Sequence, residues 1–382
     1  MKCKTRLLAL DLEPTHYKTD LWNAFEKSKL FDSFVIYTQS KNWAPDGGHN
    51  YTRLPEAVYK YKVVKGKGIK GVFLSCITVI QAFKKDKFDI VFISGYVNAP
   101  TLLGIVICAT FKINYIVHAD VFNRLTPSGN FKYLKELLRD AIRQLIFKTA
   151  KGVLTCGKLG KESAIAAGCD VSQVFDFPYV VDVNRILNDA PVDVPVQCAS
   201  DLKNNNTVIF FSGRMIKRKG LDTLIEAVDT ITDMGEWVLW IEGDGPDFEK
   251  YQQLVGLHKL DDRCRFLGFC QPDVHSWLLR NSNIVVVPSH SDSWGMLVDE
   301  GMQLGKIVIS SDQTGSGADR IIDGKNGYIF PAGDSISLSR LIKNILSDEE
   351  NNLQLGINAK KYAKLFSPKK NVIAITSIVG KI

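Results

Sequence analysis

Two kinds of segment alternate along this chain of 382 residues. Short runs of Val, Ile, Leu and Phe without a two-residue alternation are typical of strands buried on both faces of a parallel sheet. Between these runs, apolar residues recur three and four positions apart, as at Leu221, Leu224 and Val228, which predicts amphipathic helices. The predicted strands are 7–12, 34–37, 90–94, 115–119, 152–155, 174–177, 208–211, 237–242, 265–267, 284–287, 307–310 and 328–330. Because strand and helix alternate through both halves, the sequence predicts an α/β protein with two doubly wound, Rossmann-like domains.

A change of composition marks the boundary between these domains. Residues 183–206 carry Pro191, Pro195 and three consecutive asparagines, with no sustained apolar period. Such a stretch is typical of a solvated linker. We therefore predict a first domain at 1–185 and a second at 186–366.

The C-terminal segment 367–382 has the pattern of a separate helix. Ser367 suits the N-cap position and Pro368 the first helical position. The helix that follows is too apolar to stand free, so we expect it to pack on a domain, with the first domain as the candidate.

Charge is distributed unevenly between the two halves. Residues 1–185 contain 27 Lys and Arg against 16 Asp and Glu, a net charge of +11, whereas 186–382 contain 21 against 25, a net charge of −4. The basic half could face nucleic acid, an anionic membrane or an acidic substrate, or could simply be a solvated surface rich in lysine. The 45% of apolar residues and 23% of charged residues exclude a largely disordered chain.

The cysteines and apolar runs indicate the compartment. None of the eight cysteines forms a C-x-x-C pair or has metal-ligand spacing, a pattern typical of a reducing cytosol. The apolar run 7–10 is too short for a signal peptide, and 99–111 is shorter than the ~20 residues that span a bilayer. We expect a cytoplasmic protein, either free or resting on the cytoplasmic face of a membrane.

The loop after the predicted strand 208–211 concentrates positive charge at a helix start. It reads Ser-Gly-Arg-Met-Ile-Lys-Arg-Lys-Gly over 212–220 and leads into the helix near Leu221. Glycines let the backbone approach an anion, and N–H groups at a helix N-terminus together with Arg and Lys favour phosphate. The loop therefore fits a diphosphate, with a plain basic surface loop as the alternative.

Acidic residues follow the predicted strand 284–287. Asp292 stands in the turn, Ser293 is a candidate N-cap, and Glu300 comes about two helical turns later. The two carboxylates could bracket a polyhydroxylated ligand. Spacing alone leaves open whether Asp299 and Glu300 are instead solvated helix surface.

Two further glycine-bearing loops follow strands of the same half. They are Gly-Asp-Gly-Pro at 243–246 and Thr-Gly-Ser-Gly-Ala-Asp at 314–319. Ligands of open parallel sheets bind beyond the carboxyl ends of the strands, where loops with small residues can surround phosphate. Four such loops on one sheet edge indicate a site for a nucleoside diphosphate.

In this region the sequence resembles a known family. The pattern G-R-x-x-x-x-K-G with Arg214 and Lys219, the turn 243–246, the acidic-x7-Glu pattern from Asp292 to Glu300, and Asp-Gly-Lys-Asn-Gly-Tyr at 323–328 look like the nucleotide-sugar domain of retaining glycosyltransferases of family 4. That family has the GT-B fold. The resemblance implies two domains that face a central cleft, and a C-terminal helix that returns to the first domain.

The resemblance also implies roles for individual residues. Arg214 and Lys219 would bind the donor diphosphate and stabilise the leaving nucleoside diphosphate, without an essential metal or other cofactor. Asp292 would lie by the donor sugar, and Glu300 would bind the ribose or support the diphosphate. The implied donor-binding residues are Gly213, Arg214, Lys219, Gly243, Asp244, Asp292, Trp294, Gly295 and Glu300. Asp292 and Asp319 depart from the family, which usually has Glu at both positions.

The first half supplies the candidates for the acceptor side. His118 ends the predicted strand 115–119 and resembles the family's cleft histidine near the reacting carbon, which completes a predicted catalytic set with Arg214, Lys219 and Asp292. Asp120, His16 and Lys18 are the further acceptor-side candidates. A lone histidine is also commonly structural.

Lysines and aromatic residues interleave over 59–70. The glycines of this stretch break any helix, and no recognised nucleic-acid module surrounds it, so we expect no nucleic-acid partner. We interpret the stretch as a loop that presents lysines to an anionic membrane.

Together these features predict a glycosyltransferase that moves a hexose-type sugar from a nucleotide sugar to a hydroxyl of a growing, lipid-linked glycan, with retention of configuration. Polysaccharide, lipopolysaccharide and capsule synthesis are the expected settings. Two rivals stay open: a nucleotide-sugar epimerase or hydrolase on the same fold, and a non-catalytic binding subunit.

Overall fold

A computed structural model describes residues 4–38, 56–64, 66, 68–122, 132–191 and 193–381. The chain forms two compact units. The first runs to Tyr179 and resumes at Pro368, and the second runs from Val180 to Ser367.

The first unit is built on a sheet of seven parallel strands. The strands are β1 (Thr5–Asp11), β2 (Phe31–Tyr37), β3 (Lys60–Val63), β4 (Ile90–Ser94), β5 (Tyr115–His118), β6 (Gly152–Thr155) and β7 (Val174–Asp176). Their order in the sheet is β3-β2-β1-β4-β5-β6-β7. The helices that follow strands of this sheet are α1 (His16–Lys27), α2 (Gly68–Lys85), α3 (Ala99–Thr110), α4 (Lys132–Thr149) and α5 (Gly157–Ala166).

The second unit has a sheet of six parallel strands in the order β10-β9-β8-β11-β12-β13. The strands are β8 (Thr207–Ser212), β9 (Trp237–Glu242), β10 (Cys264–Gly268), β11 (Ile284–Val287), β12 (Ile307–Ser311) and β13 (Tyr328–Phe330). The helices that precede or connect them are α6 (Val183–Asn188), α7 (Val196–Lys203), α8 (Leu221–Asp229), α9 (Phe248–Leu257), α10 (Pro272–Asn281), α11 (Met296–Gln303) and α12 (Gly315–Arg320). After β13 come α13 (Ser335–Ser347), α14 (Glu349–Ala363) and the C-terminal α15 (Pro368–Val379). The two doubly wound α/β domains predicted from the sequence are confirmed.

Helices cover both faces of the first sheet. Leu8 and Leu10 of β1 pack in one core cluster, whereas Leu7 and Ala9 pack in another, so successive residues of the strand are buried on opposite faces. This explains the continuous apolar runs of the sequence. Right-handed crossovers place α2, α3 and α4 on one face, where α2 contacts α3 and α3 contacts α4.

The C-terminal helix belongs to the first unit. Val372, Ile375 and Ile378 are buried in one cluster with Trp22 of α1. The side-chain amide of Asn371 donates a hydrogen bond to the carbonyl of Pro178 at 2.8 Å. Burial of these apolar side chains therefore fixes the helix to the first unit.

The prediction of a linker at 183–206 is wrong, because this segment contains the helices α6 and α7. Asp201 of α7 is buried, and its carboxylate accepts hydrogen bonds from Trp240 at 2.9 Å and Arg265 at 3.0 Å. These partners lie far along the chain, so the polar local sequence gave no sign of a packed helix. The predicted boundary between 185 and 186 falls inside α6.

The stretch 59–70 is also not the loop that the sequence predicts. Lys60–Val63 forms the edge strand β3, paired with β2, and α2 begins at Gly68. Tyr59 is buried and its hydroxyl lies 2.7 Å from that of Tyr37. Lysines on an edge strand hinder pairing with other chains, which explains the mixed pattern. Within the described residues, no helix is both long and apolar enough to cross a membrane.

Candidate active site

The strand order of the second unit reverses between the neighbouring strands β8 and β11. The loops that follow such strands diverge and leave a crevice at the carboxyl edge of the sheet, where ligands of this architecture bind. Gly220, at the end of the β8 loop, has a φ of 68°, and a Cβ there would lie 2.0 Å from the carbonyl oxygen of Pro288. The two loops therefore meet at a position that only glycine can occupy.

Lys219 and Asp292 join these two loops by an ion pair. The Lys219 ammonium contacts one carboxylate oxygen of Asp292, and Arg218 Nη1 lies 3.7 Å from the other. Two backbone hydrogen bonds fix the position of Asp292. Its N–H donates to the carbonyl of Gln313 at 2.9 Å, and its carbonyl accepts from the Gly315 N–H at 3.0 Å. Its single carboxylate offsets only part of the positive charge of the 3-10 turn Lys217–Lys219. The turn therefore keeps a positive surplus, which suits an anionic ligand.

The turn after β9 is locked against the start of the β8 loop. The Gly213 N–H donates a hydrogen bond to the backbone carbonyl of Glu242 at 3.0 Å, and the Met215 N–H donates one to the backbone carbonyl of Asp244 at 2.7 Å. Gly243 has a φ of 128°, and a Cβ there would lie 1.9 Å from the Gly213 carbonyl oxygen. The two predicted glycine-bearing loops, after β8 and after β9, are thus brought together. Arg214, which is half-buried, stands between Gly213 and Met215, the residues that make these contacts.

The β11 and β12 loops also contact each other. The Ser316 hydroxyl donates to the carbonyls of Trp294 at 2.6 Å and Gly295 at 2.7 Å. Gly295 has a φ of 89° and precedes α11. Trp294 is 3% exposed, so its indole packs inside the unit, whereas the sequence predicts a donor contact for it. Asp319, the other departure from the family, lies half-buried on α12.

An arginine that the sequence reasoning missed supports this corner. Arg320 Nε lies 3.1 Å from Asp299 Oδ1, both side chains are 3% exposed, and the guanidinium covers the Trp294 ring with Cζ 4.9 Å from its centroid. Burial raises the pKa of Asp299 to about 6, although the pair with Arg320 opposes the rise. Asp299 is therefore a buried structural residue, which settles one alternative that spacing left open.

Glu300 is also buried, and a histidine absent from the sequence predictions contacts it. His275 Nε2 of α10 lies 3.4 Å from Glu300 Oε2, and its Nδ1 lies 2.6 Å from Glu242 Oε2. The partners are separated from His275 by 33 and 25 positions, so no local motif could have revealed them.

In the first unit, His118 stands at the carboxyl end of β5. Its Nε2 lies 3.1 Å from the Phe177 carbonyl, and the rings of Phe177 and Tyr179 lie edge-on to it. Burial lowers the pKa of His118, although Asp120 opposes the shift, so the imidazole is neutral near pH 7. The Tyr179 hydroxyl donates to Asp120 at 2.8 Å.

The two candidates on α1 differ in their surroundings. His16 is half-buried at the first position of the helix, edge-on to Tyr17. The sequence places Lys18 on the acceptor side, whereas the structure buries its ammonium 2.5 Å from Asp11. Burial alone would raise the pKa of Asp11, but the pair with Lys18 outweighs it and lowers this pKa below 3.8. Lys18 is therefore committed to an internal ion pair.

Three potential metal ligands lie together in the first unit. The ligand atoms of His118, Asp120 and Cys156 are all within 4.8 Å of one another, with 3.5 Å between His118 Nε2 and Cys156 Sγ. Nitrogen, sulfur and carboxylate oxygen are the donors that zinc prefers. Among the described residues, the second unit brings no such group together.

Comparisons with known proteins agree with this geometry. Residues 198–362 match the family described as "Glycosyl transferases group 1". The chain is 31% identical over 168 residues to the uncharacterized glycosyltransferase MJ1178 of Methanocaldococcus jannaschii, which covers 44% of this chain and 46% of that protein. It is 31% identical over 169 residues to the lipopolysaccharide core biosynthesis glycosyltransferase LpsE of Rhizobium meliloti, which covers 44% of each. These matches span less than half the length of either relative.

Likeness in structure extends over both units. The Anabaena protein Alr3699/HepE, solved in complex with UDP-glucose, matches with a TM-score of 0.75 over 99% of this chain and 100% of that one, at 17% identity. At that identity the likeness shows the fold, which is that of GT-B glycosyltransferases. Residues 198–362 are thus similar to glycosyl transferases of group 1, within a chain that has the GT-B fold.

Proposed function

We propose that this protein is a glycosyltransferase that transfers a sugar from a nucleoside-diphosphate sugar to a hydroxyl of a growing, lipid-linked glycan, with retention of configuration. The observation that carries the proposal is the convergence of Lys219, Gly213 and Asp292 at the reversal point between β8 and β11. A second support is the lipopolysaccharide core glycosyltransferase among the relatives.

The diphosphate of the donor would bind at the loop after β8. Lys219 would exchange its contact with Asp292 for a phosphate oxygen, and Arg214 would add a second charge-assisted contact. The helix α8 begins at Leu221, so its N-terminal N–H groups and dipole favour the same anion. Negative charge gathers on the diphosphate as the glycosidic bond breaks. Fixed cations therefore stabilise the transition state more than the ground state.

The sugar and the ribose would lie at the carboxylates. Once Lys219 has moved to phosphate, Asp292 would accept hydrogen bonds from hydroxyls of the donor sugar. Its side chain is one methylene shorter than that of a glutamate at the same position. Glu300, buried behind the β11 loop, would accept from the ribose hydroxyls. No carboxylate is assigned as a nucleophile, and retention rests on the sequence resemblance.

We propose that His118 acts near the reacting carbon of the donor sugar, and that Asp120 and His16 act on the acceptor side. A neutral imidazole can accept or donate one proton, which suits contact with a hydroxyl. Lys18 supports this region indirectly, because its pair with Asp11 fixes the start of α1 to the end of β1. Donor, nucleotide and glycan are the partners of the proposal, with no essential metal.

A membrane-facing surface is part of the proposal. Large apolar side chains are exposed on the helix layer α2–α4: Ile69, Phe73, Leu74 and Ile80 of α2, Val106 of α3, and Leu137 and Leu138 of α4. Exposed Lys70, Lys84 and Lys85 stand on the same α2. Apolar residues that insert at an interface, flanked by lysines, suit an anionic lipid surface. This layer, which includes Ile69 and Lys70 from the end of the stretch 59–70, takes the place of the predicted loop as the proposed contact.

The decisive experiment measures nucleoside diphosphate release from a panel of UDP-, GDP-, ADP- and dTDP-sugars, with and without a lipid-extracted glycan acceptor. We expect release with one donor, dependent on acceptor, together with a glycosylated product. Release without acceptor would favour the hydrolase or epimerase. Nucleotide binding without turnover on any acceptor would favour the binding subunit.

A further inference from the structure

A buried histidine stands between two buried glutamates at the back of the donor loops. His275 projects from the first turns of α10, and its side chain is 13% exposed. Its Nδ1 lies 2.6 Å from Glu242 Oε2 at the end of β9, and its Nε2 lies 3.4 Å from Glu300 Oε2 on α11. The imidazole thus lies between the end of β9 and α11, with one ring nitrogen facing each carboxylate.

Both nitrogens can donate only if the ring is an imidazolium, since a neutral histidine has one N–H. Burial alone would lower the pKa of His275, but Glu242 and Glu300 outweigh it and hold this pKa well above 6.5. From β8 the ring meets Phe210, with the centroids 6.0 Å apart. The charge on the ring is therefore set by the two carboxylates.

Helix α6, which packs on α10, brings a charge that is already compensated. From α6, Arg185 reaches the neighbouring Ser276 at 3.4 Å, and Arg185 is paired with Asp189 at 2.8 Å. The trio of His275, Glu242 and Glu300 then carries one net negative charge. Without the imidazolium, two buried carboxylates would face each other with no cation between them.

We propose that His275 is a positioning residue that holds the Glu300 carboxylate in one orientation for the donor ribose. This inference rests on the proposed function, in which Glu300 accepts hydrogen bonds from the ribose hydroxyls. A carboxylate that is held at one oxygen offers its other lone pairs to a vicinal diol in a fixed direction. Glu242 acts indirectly, because its carboxylate fixes the imidazolium of His275.

The test compares ribose with dideoxyribose. Calorimetric titration with the ribonucleotides UDP, GDP and ADP first identifies the nucleotide that the wild type binds. Its ribose and 2′,3′-dideoxyribose forms are then compared on the wild type and on His275→Gln, which keeps a polar side chain without the charge. Because hydrogen bonds to charged groups are strong, we expect the wild type to favour the ribose form by about 10-fold or more. His275→Gln should lose most of this preference, with little change in affinity for the dideoxy form.

Titration with pH separates positioning from a merely structural role. The pKa of His275 is raised in the folded protein, so the ribose preference should be intact at pH 6.5 and fall at alkaline pH as the ring loses its proton. Glu242→Gln removes one of the carboxylates that raise this pKa, so the fall should move to lower pH. This milder variant also serves if His275→Gln does not fold.

A matched control lies in the same unit. His258 Nδ1 lies 2.9 Å from Asp229 Oδ2 near the surface, so His258→Gln breaks a His–Asp contact and should leave the ribose preference unchanged. If the wild type binds none of the nucleotides, the proposed function fails. If it binds and prefers ribose, but His275→Gln keeps the same preference and Glu242→Gln the same pH dependence, the positioning role is wrong while the donor site stands.

Discussion

The ion pair between Lys219 and Asp292 gives the sharpest separation between stability and activity. Lys219→Ala removes the ammonium that joins the β8 and β11 loops. Its control is Lys217→Ala, which removes the same charge from an exposed position of the same turn. Any effect of net charge alone should therefore appear equally in both variants.

The structure sets the size of the effect on stability. The Lys219 and Asp292 side chains are 22% and 10% exposed, so the pair is neither fully solvated nor deeply buried. Removing the ammonium leaves Asp292 with Arg218 at 3.7 Å and with water at the crevice. We expect the free energy of unfolding to fall by about 1 kcal/mol, or roughly 2–4 °C in melting temperature for a unit of this size.

The effect on turnover should be much larger. A cation aimed at charge that develops on the leaving diphosphate contributes as an oxyanion-hole donor does, so kcat should fall about 10²- to 10³-fold. The assay is nucleoside diphosphate release at saturating donor and acceptor, with melting temperature measured on the same samples. Equal activity of Lys219→Ala and Lys217→Ala would refute the assignment, as would a loss of activity that merely tracks unfolding.

Three other predictions follow from single positions. Gly220→Ala should lower the free energy of unfolding by about 2 kcal/mol or more, since it combines a left-handed backbone with a clash against a carbonyl. Gly235→Ala, with a similar φ of 63° in open space, should cost less in a thermal melt. Asp11→Asn should cost about 3–5 kcal/mol at pH 7 by leaving a buried ammonium unpaired. Because the Asp11 pKa is lowered on folding, this difference from wild type should shrink below pH 3.8 in chemical denaturation. Phe73→Ser should weaken flotation with anionic vesicles, whereas Leu257→Ser, equally exposed on the second unit, should not.

The strands and the donor loops could be read from the sequence because their signals are local. Every predicted strand is present, with ends that differ by up to three residues, since a strand buried on both faces must be apolar throughout. The glycines at 220 and 243 mark backbone conformations and close approaches that other residues cannot adopt. Charge and glycine pattern together were enough to predict which loops meet at the carboxyl edge of the second sheet.

What the sequence missed depends on partners far along the chain. Helix α7 is stabilised by Asp201 with Trp240 and Arg265, which no local period reveals. The burial of Lys18 follows from the carboxylate of Asp11 at the end of β1. A histidine within an ordinary helix likewise gives no sign of two carboxylates brought to it by other elements.

The position of the diphosphate tests the central claim most directly. A crystal structure with the nucleotide sugar that binds most tightly should place phosphate oxygens within hydrogen-bonding distance of Lys219 Nζ and the Arg214 guanidinium, with the ribose hydroxyls on Glu300. A diphosphate bound away from the β8 and β11 loops, with Lys219 still paired to Asp292, would contradict the account.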